Sequence, residues 1–127
     1  MESAIEKYTI LSLLVIGLSH TLQPRAWAEF FILLRSKGKV GVFLTAFLHL
    51  PLGLFIISFH NVWTWPAWII TVIGWGWTVK GFLYFCFPRV GLWSLSRVSL
   101  ERAHEFAIPG AIFMLFSAWL AYALLLP

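Results

Sequence analysis

Five polar side chains stand where an otherwise apolar sequence gives them few partners: His20, His49, Lys80, His104 and Glu105. Ammonium, imidazole and carboxylate groups bind anions, relay protons or hold metals. Inside a membrane such a group is costly, and its presence points to function. Lys80 lies in the tryptophan-rich run 63–89, about 12 Å of helix before Pro88, and so in the inner third of a span. A lysine at that depth either snorkels to the headgroups or faces inward to bind an anion, a lipid headgroup or a carboxylate. Glu105 is the carboxylate at matching depth. His20, one turn before Pro24, and His104, next to Glu105, reach the same level. His20, Lys80, His104 and Glu105 therefore form the first candidate binding cluster. Its two histidines are the pair that a haem would need.

His49 is set apart, about 15 Å of helix beyond Lys39 and near the middle of its run. Pro51, two positions on, removes one backbone N–H from that helix. An imidazole there relays protons, bonds a neighbouring helix or acts with Lys80 in gating. Trp75 and Trp77 interleave with Gly74 and Gly76. That pattern suits close helix packing or a ligand surface, with an indole near the lysine. Trp63, Trp65 and Trp68 read instead as an outer aromatic belt, and His60 as a solvated residue at the outer boundary. The single cysteine, Cys86, leaves no internal disulfide and no cysteine-based zinc site.

Helices must place these groups. The 127 residues are 61% hydrophobic and 11% charged, against about 25% charged in soluble domains. Such a chain is an integral membrane protein, and its length gives one domain, 1–127. Four apolar runs mark spans at about 4–23, 40–59, 63–87 and 104–126, separated by elbows at 24–39 and 88–103. The bilayer core needs about 20 helical residues per span and satisfies backbone groups only within helices. The first 20 residues lack a signal-peptide pattern, because Glu2 and Glu6 offset Lys7, and they read as a retained span. Seven of the nine Lys and Arg residues fall in the two elbows. This places the elbows in the cytoplasm and both termini outside.

In the first elbow Trp27, Phe30, Phe31 and Leu34 recur at helical spacing, with Pro24 at its start and Gly38 at its end. An amphipathic helix at the cytoplasmic interface is expected. The second elbow has a less clean stripe and reads as a turn running into the fourth span. Both elbows open alike, with Pro24–Arg25 and Pro88–Arg89, and each leads to a span holding a proline, Pro51 or Pro109. The expected fold is thus an all-α compact bundle of four transmembrane helices with an interfacial helix. The same pattern admits two parallel helix–elbow–helix repeats.

The chain has no aspartate and no nucleotide, serine-hydrolase or zinc-protease motif, so an enzyme is disfavoured. The net charge of +4 orients the spans and does not form a nucleic-acid patch. The leading expectation is a small accessory or assembly subunit of a membrane complex, or a homo-oligomer, with a lipid- or anion-binding pocket near Lys80. Its partners are membrane lipids and other membrane subunits or further copies, and a bacterial inner membrane is the expected setting. A small transporter or channel subunit using His49 and Lys80 is the second reading. A haem- or quinone-binding redox protein using His20 and His104 is the third. No cofactor is required by the first two.

Overall fold

A computed structural model describes residues 1–126. Six α-helices run in order: α1 Glu2–Leu22, α2 Pro24–Ser36, α3 Lys39–Phe59, α4 Trp68–Cys86, α5 Pro88–Ser96 and α6 Ala107–Leu125, the last preceded by a 3-10 turn, Ala103–Phe106. There is no strand among the described residues. Three stretches are long and apolar enough to cross a membrane: Lys39–Phe59, Trp68–Cys86 and Ala103–Leu125. Helix α1 equals α3 in length at 21 residues, but Glu2, Glu6, Lys7 and His20 dilute its apolar character.

The two elbows start the same way. Pro24 and Pro88 each open a helix, where the missing proline N–H is not needed. The residues joining them to the preceding helices adopt similar backbones, with Gln23 at φ −128°, ψ 49° and Phe87 at φ −131°, ψ 71°. The first elbow helix ends at Gly38, whose φ of 60° is the left-handed region that favours glycine. The second elbow departs from the expected turn into an extended span, because a short helix, α5, comes first. Arg35 Nη1 donates to the carbonyl oxygens of Val98 at 2.6 Å and Leu95 at 3.4 Å, tying the two elbows together.

The connection between α3 and α4 is longer than the expected three-residue turn. It runs over 60–67, so Trp63 and Trp65 precede α4 rather than forming its first turns. Pro66 lacks an N–H and disfavours helix at the residue before it, which delays the start of α4 to Trp68.

The long helices pack most closely as two pairs, α1 with α6 and α3 with α4. Glycine sets both approaches. A Cβ on Gly17 would lie 2.7 Å from Gly110 O, and one on Gly110 would lie 2.8 Å from Gly17 O. In the other pair a Cβ on Gly53 would lie 2.4 Å from Thr78 N and 2.8 Å from Gly74 O, and one on Gly81 would lie 2.5 Å from Leu50 Cβ. Gly17 and Gly81 each stand seven residues before an elbow proline. In lipid the hydrophobic effect does not draw helices together, so such backbone approach and its dispersion contacts carry the association. Ile5, Ile10, Leu13, Ile56, Ile70 and Leu120 then join the pairs in one core, while Leu34, Val42, Ala46, Tyr84 and Leu95 bury the elbows against α3 and α4. Ser117 Oγ adds a buried bond from α6 to Ile10 O of α1 at 2.8 Å.

Gly53→Val should lower stability by about 1–3 kcal/mol, the usual cost of overpacking, read as a lower melting temperature in detergent. Gly76→Ala should not lower it, because nothing lies within 4 Å of a Cβ built there and alanine is the better helix former. Equal melting of the two variants would refute the α3–α4 contact.

Candidate functional site

Between the two helix pairs lies a cavity of about 400 Å³. Helix α1 gives it Ile16 and His20, α3 gives Leu48, His49 and Leu52, and α4 gives Trp77 and Lys80. Trp27 and Phe31 of α2 and Phe106, Pro109 and Phe113 of the last span complete the wall. Three of the polar residues singled out from the sequence therefore converge, and the combination is His20, His49 and Lys80.

Both imidazoles are held by the same local device. His20 Nδ1 is 2.8 Å from Ile16 O, and His49 Nδ1 is 2.8 Å from Thr45 O, each one helical turn back. A carbonyl oxygen can only accept, so Nδ1 carries the hydrogen in each ring. In the neutral ring this leaves Nε2 as a bare acceptor, and neither Nε2 has a hydrogen-bond partner among the described residues. His20 is further fixed by stacking on Trp27, with ring centres 3.9 Å apart and planes at 19°. Trp27 is itself anchored through Nε1, which donates to Ser19 Oγ at 2.9 Å. Phe113 meets the His20 ring edge-on at 6.3 Å, and Phe31 stacks on Phe106 at 5.8 Å. The aromatic wall thus draws on α1, α2 and the final span, and its position depends on the first elbow folding back over α1.

Lys80 has no carboxylate within ion-pair distance among the described residues. Its ammonium lies 5.6 Å from the centre of the Tyr84 ring one turn on, a cation–π contact that offsets part of the desolvation. A cation lodged in an aromatic cavity favours an oxygen-bearing partner, since an unpaired charge there is expensive.

The other candidates lie elsewhere. Glu105 pairs with Arg102 at 2.9 Å at the exposed start of the last span, and its hydrogen bond raises the Arg102 pKa. His104 is exposed beside it, so the His20–His104 pair that haem ligation needs is not assembled in the cavity. Among the described residues no three metal-ligating side chains converge. Trp75 faces outward, 43% exposed, and donates to Asn61 Oδ1 at 3.3 Å, whereas Trp77 lines the cavity.

His60 corrects the sequence reading. It is 0% exposed rather than solvated, because the connection folds inward over α4. Its Nε2 donates to Glu6 Oε1 at 3.4 Å, and its Nδ1 lies 3.3 Å from Thr71 Oγ1. The same hydroxyl donates to Val62 O at 2.7 Å and accepts from Val62 N at 3.0 Å. This network closes the connection and holds α1 against it.

Sequence reasoning missed Trp27, Phe31, Phe106 and Phe113 as site residues. The available signal was the seven-residue step from His20 to Trp27 across Pro24, which brings the indole back over the imidazole once the chain turns.

Comparison with protein-family models, with curated proteins and with solved structures finds no match, and the site is read from its own geometry.

Thr71→Val should leave the Val62 N–H without its partner and cost about 1–3 kcal/mol. Faster hydrogen exchange at the Val62 amide, with exchange in α6 unchanged, is the expected result. Unchanged exchange at Val62 would show that the hydroxyl does not close the connection.

Proposed function

We propose that this chain is a four-span membrane protein in which α1 is the additional span, serving as an accessory or assembly subunit, or as a homo-oligomer, that holds an amphipathic ligand with an oxygen-rich head at Lys80. The observation that carries the reading is the cavity itself, a carboxylate-free aromatic chamber in which a lysine and two histidines converge. Anionic lipid headgroups are the most abundant molecules of this chemistry in a bilayer, and a phosphate or carboxylate oxygen supplies the acceptor the ammonium lacks. In this reading the basic elbows face the cytoplasm of a bacterial inner membrane, the termini lie outside, and the chain forms a compact bundle of two parallel helix–elbow–helix repeats. The matched elbow backbones and the exchange of pairings, α1 with α6 and α4 with α3, support the repeat.

Native mass spectrometry in a mild detergent should find an anionic lipid retained by the wild-type protein and lost from Lys80→Met. Retention at equal occupancy in both would remove the Lys80 pocket from the reading. For orientation, a single cysteine placed by Lys37→Cys in a Cys86→Ser background should react only with reagent that reaches the cytoplasmic face. Labelling from outside intact cells would reverse the topology.

A transporter or channel subunit is the second reading, favoured by the one observation that His49 and Lys80 share the cavity. Flux in proteoliposomes that disappears in His49→Ala would put it first.

A further inference from the structure

On the lipid side of the cavity, an apolar groove of about 440 Å³ runs between α1 and α3, lined by Ala4, Ile5, Tyr8, Pro51, Leu52 and Phe55 among others. Leu52 lines both spaces, so the groove adjoins the cavity at that residue and runs from it toward the start of α1 and the end of α3. Tyr8 and Phe55 meet edge-on across it at 5.8 Å and are 40% and 42% exposed, which leaves the groove facing lipid. A chamber holding three polar groups beside an apolar groove has the shape of a ligand with a head and a tail.

The chamber also specifies the head. Lys80 can only donate, so one atom of the ligand must accept. With Nδ1–H committed to backbone carbonyls, His20 and His49 present Nε2 lone pairs, which call for donors. A phosphate or carboxylate supplies acceptors alone and leaves both lone pairs unmatched. A ring hydroxyl both donates to a histidine and accepts from the lysine, and a planar ring gains contact with Trp27, Phe31 and Trp77.

We infer that the cavity and groove together bind a membrane-soluble hydroquinone, its hydroxylated ring among His20, His49 and Lys80 and its single apolar tail in the α1–α3 groove. This rests on the proposed function only in placing an oxygen-bearing head at Lys80, and goes beyond it in taking a hydroxylated ring, rather than an anionic headgroup, as that head.

The test uses the full chain in phosphatidylcholine nanodiscs, titrated with a decyl-substituted hydroquinone, its oxidised quinone, unsubstituted hydroquinone, palmitate and dioleoyl phosphatidylglycerol. The decyl hydroquinone should saturate one site and bind about tenfold more tightly than the quinone, which has lost the donating hydroxyls; one unmatched hydrogen bond is worth about that factor. His20→Phe and His49→Phe should each reduce this preference. Leu52→Trp should weaken the decyl ligand but not the tail-less ring. Circular dichroism checks that each variant folds, and the ligand series on wild-type protein decides the matter without them. A quinone that binds as tightly as its hydroquinone, or tighter, overturns the inference. Saturation by phosphatidylglycerol or palmitate alone overturns it too, while leaving the Lys80 pocket standing. Saturation by none of the five refutes both.

Discussion

The close approach of helix backbones at glycine is the constraint on which the rest depends. Gly17 against Gly110 and Gly53 against Thr78 and Gly74 draw α1 onto α6 and α3 onto α4 at distances no side chain would allow. Each pair is tight within itself, and the two meet less intimately, with α1 and α3 in sparse contact. The cavity and its groove lie along that seam. The open space is thus the complement of where the glycines are, and His20, His49 and Lys80 stand along it.

The site is held by backbone as much as by side chains. His20 and His49 are each oriented by a carbonyl of their own helix, so their ring positions do not depend on a distant partner. Lys80 is placed oppositely, with one aromatic ring one turn away and no carboxylate. Two pre-aimed acceptors beside an uncompensated donor is an arrangement better suited to recognition than to structural support. The Glu6–His60–Thr71 network makes the contrast plain, for there the polar groups bond one another and Val62, and none of them lines the cavity.

Helical rise gives a position along each helix from the sequence, and direction around the helix was not legible there. His20, Lys80, His104 and Glu105 do share a level by counting, yet His104 and Glu105 stand at the exposed entry to the last span. His49 was placed deeper and apart, but it belongs with His20 because α3 turns that face toward the seam. The prolines fixed both elbow starts, and Gly38 fixed the first elbow's end. Of the helix pairs, only α3 with α4 was readable, as neighbours joined by a short link. The pairing of α1 with α6 brings together residues such as Ile10 and Ser117, whose separation in the chain leaves no local trace. His60 was misread because a place at the outer boundary suggests solvent, whereas its partner Glu6 lies in another helix.

Arg35 reaches from the end of α2 to the carbonyl oxygens of Leu95 and Val98, at the end of α5 and just beyond it. Helix α2 also carries Trp27 and Phe31, which wall the cavity. The two halves of the chain are consequently yoked: a displacement of α2 must either drag the second elbow along or give up two hydrogen bonds from a charged group. The elbow end of the bundle is therefore held as one unit, by the Arg35 guanidinium together with the packing of Leu34 against Leu95.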